Sequence, residues 1–203
     1  MVRTGFLYAS MPTLAAAVLL WLGWWIAAGF GLALAAFVLF FFRDPERVVT
    51  AAPGALVSPA DGRVLAVDTA TLNGGRQTHV SIFLSLFDVH VNRSPIAGTV
   101  RQVDYRPGKF HVASWTRASR ENERNEVVVE GEGTLVVFRQ IAGILARRIE
   151  FWQKPGDRLE RGQRVGMIRF GSRVEIFFPC CYQVQVKAGE HVRGGSSVLA
   201  IRG

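Results

Sequence analysis

Charged residues are missing from the start of this sequence: between Gly5 and Phe42 there is no Asp, Glu, Lys or Arg, and Arg3 and Arg43 flank the run. A helix needs roughly 20 apolar residues to span a bilayer, and this run is well beyond that length. A cleaved signal peptide has a shorter apolar core, and a soluble helix this long would carry a polar face. Residues 1–45 are therefore predicted to form a hydrophobic membrane anchor.

Two arrangements of the anchor are compatible with this run. One is a single long, tilted span. The other is a helical hairpin broken near Gly29–Gly31, with arms of about a dozen residues each. Trp21, Trp24 and Trp25 lie close to that break, where aromatic residues at the membrane interface would be expected. The hairpin is slightly preferred, and the arginines at both ends then predict that the rest of the chain faces the cytoplasm.

Cysteine and histidine are also scarce: the 203 residues include two adjacent cysteines, Cys180 and Cys181, and four histidines. Neighbouring cysteines rarely bond to each other, and this spacing matches no metal motif, so we expect no metal site. Both cysteines are predicted to be buried at a strand end. The formal net charge of +8 suits an anionic partner. No nucleic-acid-binding motif is present, so an anionic lipid surface is the better match.

Helical periodicity is poor after the anchor, where short runs rich in β-branched residues are separated by Gly, Pro and Asn. Residues 139–149 fit either a short helix or another strand. The pattern predicts that residues 46–203 form one mainly β domain, an antiparallel sandwich or a partly open barrel. Six runs predict its strands: 64–67, 78–84, 98–103, 126–130, 134–138 and 173–177.

The segments 154–168 and 187–195 repeat one pattern, a glycine followed by an acidic residue and a second glycine six positions after the first. This pattern resembles the hairpins of biotinyl and lipoyl carrier domains. A carrier needs an exposed lysine on a tight hairpin, and neither Lys154 nor Lys187 fits that position well. We therefore predict carrier-domain-like hairpins whose turn glycines need positive φ. A membrane-anchored, carrier-like lipid-binding domain without catalysis is kept as an alternative.

Two polar clusters lie in the middle of the chain. The first, Ser58–Gly62, contains Asp61 in a turn-forming Asp-Gly pair. In the second, Asp88, His90 and Asn92 alternate with apolar residues, so on a strand they would project from one face. A histidine beside an aspartate that can orient it is a candidate acid or base.

Close to the C-terminus lies the run Gly194-Gly195-Ser196-Ser197. It is an ordinary turn sequence, but its Gly-Ser bond also offers an unhindered carbonyl to a hydroxyl. If Ser196 Oγ attacks the Gly195 carbonyl, the amide becomes an ester, and elimination from that ester cuts the chain. The dehydroalanine that remains hydrolyses to a pyruvoyl group, which forms a Schiff base with an amine and withdraws electrons.

Five motifs occur in register, and together they resemble the short, archaeal-type form of phosphatidylserine decarboxylase. The match runs from about Pro45 to the C-terminus. It implies a pyruvoyl-dependent lyase of phospholipid biosynthesis that converts phosphatidylserine to phosphatidylethanolamine and CO2 without a diffusible cofactor. The motifs are Ser58–Gly62, Phe87–Pro95, Gln140–Gly143, Ile168–Arg173 and Gly194–Ser197.

The resemblance also implies residue roles. The precursor would cleave itself between Gly195 and Ser196, leaving a short C-terminal chain whose Ser196 has become the covalent pyruvoyl cofactor. Asp61 matches the aspartate of the family's self-cleavage triad. His90 matches the first histidine of its Asp-x-His motif, a candidate proton donor to the substrate α-carbon. Longer relatives carry a second histidine where this chain has Arg93. Two candidates for the base that activates Ser196 therefore remain: His90, and Asp61 acting through water.

The resemblance leaves some partners undetermined. The substrate would be a phospholipid in the cell membrane, either diacyl phosphatidylserine or an archaetidylserine-type ether lipid, because the reacting group is the same in both. The two chains of one precursor would stay together, a homodimer is compatible with the resemblance, and no nucleic acid is expected.

Overall fold

The computed structural model describes residues 2–49, 52–72, 74–144, 148–169 and 171–203. The chain divides into two compact units, Met1–Glu46 and Arg47–Gly203. The first unit is helical and the second is built mainly from antiparallel strands. A mainly β fold with an apolar helical N-terminus is therefore confirmed.

The first unit is a hairpin of two packed helices, α1 (Arg3–Trp21) and α2 (Trp25–Phe41). Its break lies at Gly23, whose φ of 77° allows the N–H groups of Gly23 and Trp24 to bond back into the last turn of α1. The predicted break near Gly29–Gly31 is wrong. Both glycines lie inside α2, where Gly31 packs closely against α1.

By length and composition, Thr4–Trp21 within α1 is apolar enough to cross a membrane, whereas α2 is a shorter apolar helix. The first turns of both helices lack acidic residues, and their last turns lack basic residues. The apolar stretch of α1 is thus weak evidence that the protein associates with a membrane.

All strands of the second unit pair antiparallel, and all six predicted strands are present. Of residues 139–149, the first part extends a strand to Ile141 and Ile149 begins another, while 145–147 lie outside the described residues. The elements are β1 (Ala55–Val57), β2 (Gly62–Leu72), β3 (Gly75–Leu84), β4 (Val91–Arg93), β5 (Gly98–Arg106), α3 (Ala118–Glu121), β6 (Arg124–Gly131), β7 (Thr134–Ile141), β8 (Ile149–Phe151), β9 (Arg158–Leu159), β10 (Arg164–Ile168), β11 (Ser172–Pro179), β12 (Tyr182–Val184), β13 (His191–Val192) and β14 (Val198–Arg202).

The sheets are arranged as an internal repeat. The eight-stranded sheet has the order β13-β2-β3-β11-β7-β6-β5-β9. From its centre outwards, the strands β11, β3, β2 and β13 of one half correspond to β7, β6, β5 and β9 of the other. Two three-stranded sheets, β1-β14-β12 and β4-β10-β8, correspond in the same way. One apolar cluster fills the space between them, with Ile82, Val129, Phe138 and Ile176 fully buried.

The repeat predicted from the glycine pattern is present in the backbone. Gly156 and Gly189 have φ values of 96° and 95°, and Gly162 and Gly195 have 76° and 77°. A second pair of matching segments precedes them: Ser58–Gly62 and Ser94–Gly98 both begin Ser-Pro and end in glycine. Asp61 in the first segment corresponds to Ala97 in the second.

The two cysteines are not buried. Cys180 and Cys181 are exposed and form the turn between β11 and β12. The prediction that they are buried at a strand end is wrong, because the short β11–β12 connection leaves its two central side chains in solvent.

Candidate active site

The Gly-Gly-Ser-Ser segment forms a tight turn between β13 and β14, here called the serine turn (Gly194–Ser197). The N–H groups of Ser196 and Ser197 both donate to the Arg193 carbonyl, at 3.1 and 2.9 Å. The Arg193 N–H in turn donates to Ser197 Oγ at 2.9 Å. Ser197 Oγ therefore closes the turn. Within the described part of the chain, Ser196 Oγ accepts no such hydrogen bond from a backbone N–H.

The serine turn packs against the Ser58–Gly62 segment and is hydrogen-bonded to it. The Gly195 N–H donates to the Ser58 carbonyl, and the Ser58 N–H donates to the Ser197 carbonyl, both at 2.8 Å. A Cβ added to Gly194 would lie 3.2 Å from Ala60, and one added to Gly195 would lie 2.7 Å from Arg93 Cδ. A side chain on Gly194 would therefore crowd Ala60, and at Gly195 both the close approach of Arg93 and the positive φ favour glycine.

Asp61 contacts the serine turn directly. Its Oδ1 accepts the Gly194 N–H at 2.7 Å, and its Oδ2 accepts from Arg47 at 2.7 Å. Burial raises the pKa of Asp61 above its ordinary 3.8, although the Gly194 N–H and the Arg47 charge oppose that shift. A carboxylate in such a position holds the backbone next to the Gly195–Ser196 bond and gains basicity from its burial.

Arg47 is a site residue that the sequence did not indicate. It pairs with Asp61, and both side chains are largely buried, at 14% and 9% exposure. Its sequence neighbourhood looks like a linker, and it is one of many arginines in a basic chain. Only the tertiary contact distinguishes it.

His90 is fully buried beside the same region. Its Nδ1 lies 3.0 Å from the Asp88 carbonyl oxygen, and the Gly171 N–H donates to its Nε2 at 3.3 Å. These two bonds assign the proton to Nδ1. Asp88 lies in a turn before β4, so the expectation that Asp88, His90 and Asn92 share one strand face is wrong.

The Asp88 side chain links the His90 loop to the strand before the serine turn. Its Oδ2 accepts from the N–H and the hydroxyl of Ser85, at 2.8 and 2.7 Å. Its Oδ1 lies 2.9 Å from Nε2 of His191, which is in β13. His191 is thus a second residue near the site that sequence reasoning missed, since the partners are far apart in the chain.

A buried amide network supports the His90 loop. Gln140 donates to Asn92 Oδ1 at 2.9 Å and accepts from Asn125 at 3.0 Å. A Cβ on Gly143 would lie 2.0 Å from the Gly171 carbonyl oxygen. The Gln140–Gly143 motif therefore fixes the loop that holds His90 and brings the backbone at Gly171 close to it. Phe170, in the fourth motif, lies outside the described residues.

An apolar pocket of about 230 Å³ adjoins His90, because Gly171 contributes to its wall. Phe87 and Ile144 at this pocket are 69% and 56% exposed, so the pocket opens to the surface through apolar side chains. The remaining lining residues are Phe83, Ser85, Leu86, Val112 and Ala113. Such a pocket suits an aliphatic group better than a polar one.

The structure thus brings Asp61 into contact with the turn that holds Gly195 and Ser196. His90 is held by other partners and is connected to that turn through Asp88 and His191. Among the described residues, no group of His, Cys, Asp and Glu is arranged to hold a metal ion. The arrangement combines a hydroxyl beside an unhindered peptide bond, a buried carboxylate and a buried imidazole next to an apolar pocket.

Comparison with known proteins agrees with this arrangement. Residues 34–200 match the family model described as phosphatidylserine decarboxylase. A phosphatidylserine decarboxylase proenzyme of Solibacter usitatus is 48% identical over 201 residues, which cover 99% of this chain and 96% of the relative. Proteins of the same name from Nitratidesulfovibrio vulgaris and Ralstonia pickettii are each 47% identical, and they cover 93% and 86% of this chain and 88% and 85% of their own lengths.

Proposed function

The chain belongs to the phosphatidylserine decarboxylase family, and on that premise we propose that it matures by cleaving itself between Gly195 and Ser196. The reaction of the chain is the decarboxylation of phosphatidylserine to phosphatidylethanolamine and CO2, and the proenzyme names of its relatives fit a self-cleaved precursor. A carrier-like domain without catalysis, the alternative from sequence, is set aside by this membership.

The observation that best supports the cleavage site is the serine turn itself. Gly195 is buried at positive φ, Asp61 binds the neighbouring Gly194 N–H, and Ser197 rather than Ser196 closes the turn. The hydroxyl of Ser196 therefore does not close the turn, and the carbonyl before it belongs to Gly195, which has no side chain to hinder attack. Formation of an ester from such a bond needs a base for the hydroxyl and stabilisation of the developing negative charge.

We assign the base of this step to Asp61, acting through a water molecule. A carboxylate has about four lone-pair positions, and Asp61 uses its two oxygens on Gly194 and Arg47 with capacity left for a bridging water. The raised pKa of Asp61 makes it a better base than an ordinary surface aspartate. His90 is less suited to this step, because its two ring nitrogens face Asp88 and Gly171.

The residues present fit a pyruvoyl group at position 196. Ser196 is half-buried within a turn in which a side chain on Gly194 or Gly195 would crowd Ala60 or Arg93. A pyruvoyl group there would bind the amine of the serine headgroup of the substrate. It would accept the electron pair that remains when the carboxylate of that headgroup leaves as CO2. The chain then has to bind the lipid, exclude water and return a proton to the α-carbon.

His90 and the apolar pocket suit the remaining tasks. Nε2 accepts the Gly171 N–H, so His90 can return a proton only after it is protonated at Nε2 and releases that N–H. Since Gly171 also lines the pocket, a proton carried at Nε2 would then lie beside a lipid bound there. His90 is fully buried, which keeps that proton away from bulk water. We propose that His90 returns the proton and that the pocket holds the apolar part of the substrate near its glycerol.

The cleaved short chain would remain in place as a strand. Its β14 pairs with β1 on one side and β12 on the other, and Leu199 and Ala200 are fully buried. We further propose that the helical hairpin holds the enzyme at the cell membrane with its β domain in the cytoplasm. A homodimer and the choice between diacyl and ether lipids stay predictions.

The experiment is a release assay with vesicles that contain phosphatidylserine labelled at the serine carboxyl carbon. Purified protein should release labelled CO2, and a His90→Gln variant that is cleaved normally should release far less. Vesicles with an ether-linked phosphoserine lipid, tested in parallel, compare the two substrate classes. Cleaved, folded protein that releases no CO2 from either lipid would contradict the proposal.

A further inference from the structure

Arg93 packs against Gly195, the residue that precedes the bond at which cleavage is proposed. It is 5% exposed, and its Cδ lies 2.7 Å from the position that a Cβ on Gly195 would occupy. Its NH1 donates to the Gly162 carbonyl at 3.0 Å, and that carbonyl oxygen lies 3.5 Å from the same Cβ position. The Arg93 side chain therefore passes Gly195, and its guanidinium is hydrogen-bonded to the turn that packs against Gly195.

The internal repeat has an apolar residue at the position that corresponds to Arg93. The residue before Ser58-Pro59 is Val57, and the residue before Ser94-Pro95 is Arg93. Both end short corresponding strands, β1 and β4. Val57 is fully buried. A buried guanidinium carries a desolvation cost that a buried valine does not, so its presence beside Gly195 calls for a chemical reason.

A guanidinium cannot serve as a base, because it stays protonated throughout the physiological range. It can stabilise negative charge, and it matches the geometry of a carboxylate. Two steps of the cleavage place negative charge on Gly195. When Ser196 Oγ adds to the carbonyl carbon, its proton goes to the base and the carbonyl oxygen becomes an oxyanion. In the later elimination, Gly195 leaves as a carboxylate.

We propose that Arg93 stabilises the negative charge on Gly195 in both of these steps; the inference rests on the proposed self-cleavage. The tetrahedral species collapses by breaking the C–N bond, and the nitrogen of Ser196 takes up a proton to give an amine and an ester. A water molecule then takes the Ser196 α-proton, a Cα–Cβ double bond forms, and the bond between Cβ and the ester oxygen breaks to leave a dehydroalanine at position 196. The electron pair of that bond goes to the Gly195 carboxylate beside Arg93.

The test follows maturation of the full chain made by cell-free translation in the presence of membranes or detergent, so that the precursor is seen from the start. Intact mass against time gives the cleavage rate. Hydroxylamine, which cleaves esters, reports on the ester before elimination. The variants are Arg93→Gln, Arg93→Lys and Arg93→Ala, and Arg173→Gln is the control for the loss of another buried arginine, 7% exposed.

The expected result is that Arg93→Gln slows cleavage about 10² to 10³-fold, the usual effect of removing one oxyanion donor. Arg93→Lys should lose less, because it keeps a cation, and added guanidinium should partly restore Arg93→Ala. If elimination is the slower step, the ester accumulates and hydroxylamine releases the short chain. Arg173→Gln should cleave at close to the rate of the unchanged protein.

Several outcomes separate the possible failures. If Arg93→Gln has the melting temperature of the unchanged protein and cleaves at the unchanged rate, the role of Arg93 is wrong. If Arg93→Gln fails to fold, an Arg93→Lys variant that folds but cleaves no faster than Ser196→Ala, with no guanidinium rescue of Arg93→Ala, also overturns it. If the unchanged protein does not cleave, the proposed function itself fails.

Discussion

The serine turn and its counterpart in the other half, the glutamine turn (Arg161–Arg164), are held by matching backbone bonds. The Gly195 N–H donates to Ser58, and the Gly162 N–H donates to Ser94, each at 2.8 Å. The turns differ in how they close. Gln163 Oε1 accepts the Glu160 N–H at 2.8 Å, so the residue that corresponds to Ser196 is engaged in its own turn.

In the serine turn, that closing bond moves one residue along the chain. Ser197 Oγ accepts the Arg193 N–H at 2.9 Å, and Ser196 is released from this task. The acidic residue also differs between the halves, because Asp61 corresponds to Ala97. The comparison indicates that the glycines and the Ser-Pro segments, which both halves share, belong to the scaffold, whereas Ser196, Asp61 and Arg93, which have no counterpart of the same type, carry the proposed chemistry.

The largest expected effect comes from removing the hydroxyl of the serine turn. Ser196→Ala should abolish CO2 release, because without the hydroxyl the chain cannot cleave itself and the pyruvoyl group cannot form. Gln163→Ser is the matched change in the glutamine turn and should leave CO2 release unchanged and create no second cut. Cleavage after Gly162 in that variant, seen on a denaturing gel, would show that the turn alone is sufficient.

The next effect separates cleavage from decarboxylation. His90→Gln keeps a side chain of similar reach but removes the acid, so CO2 release should fall about 10² to 10⁴-fold. Cleavage should continue, because His90 is held by Asp88 and Gly171 and not by the serine turn. A variant that stays uncleaved while folded would move His90 into the maturation step.

Asp61 should matter mainly for maturation. Asp61→Asn keeps a group that can accept the Gly194 N–H but removes the base and the partner of Arg47, so cleavage should slow about 10² to 10³-fold. The matched change, Ala97→Asp, adds a carboxylate to the other half and should give no new cut. The rates are read from intact mass against time, and unchanged cleavage in Asp61→Asn would exclude it as the base.

The pH dependence of maturation should follow Asp61. Its pKa is raised above 3.8 by burial, and the base must be ionised, so the cleavage rate should rise with pH through a midpoint above 3.8. The raised pKa also means that the folded state holds this proton more tightly than the unfolded state. Its contribution to stability is thus present below about 3.8 and is lost as the pH rises through the folded pKa.

Ser196→Ala protein measures the stability part without cleavage, by thermal melts across this range. Adding Asp61→Asn should remove the part of the pH dependence that comes from this group. A cleavage profile of the Asp61→Asn variant that keeps the same midpoint would assign the titration to another residue.

The smallest expected effect concerns retention of the short chain. The Arg202 guanidinium donates to the Glu132 carbonyl at 2.7 Å, and Glu132 is the non-glycine residue at positive φ among those described, at 52°. This contact is exposed, so Arg202→Met should speed loss of residues 196–203 only by a few-fold. Native mass spectrometry of the cleaved protein measures it, and Arg158→Met is the control in an exposed arginine of the other half.

Much of the β domain could be predicted from local pattern. The six strands follow from alternating β-branched runs, and the turn glycines of both repeats follow from their spacing. The second repeat, Ser58–Gly62 with Ser94–Gly98, is equally visible in the sequence but was not among the predictions. Glycine content alone does not locate the break of the helical hairpin, because Gly23 ends a helix, whereas Gly29 and Gly31 lie within one.

The site was harder to predict where it depends on tertiary contacts. Ser196, Asp61 and His90 were identified through motifs, and their roles stay predictions. Arg47 and His191 carry no local signal, since their partners lie 14 and 103 positions away. Alternation predicts a strand face for Asp88, but it is equally compatible with the turn before a short strand in which Asp88 lies. The contacts of these side chains are fixed by the fold and not by their neighbours in the chain.

The most direct test of self-cleavage at Gly195–Ser196 is the intact mass of the purified protein beside Ser196→Ala. The expected result is a large chain that ends at Gly195 together with a short chain whose mass corresponds to residues 196–203 with a pyruvoyl terminus, while the variant remains whole. A folded, unmodified protein that remains a single chain of 22.4 kDa would contradict the account.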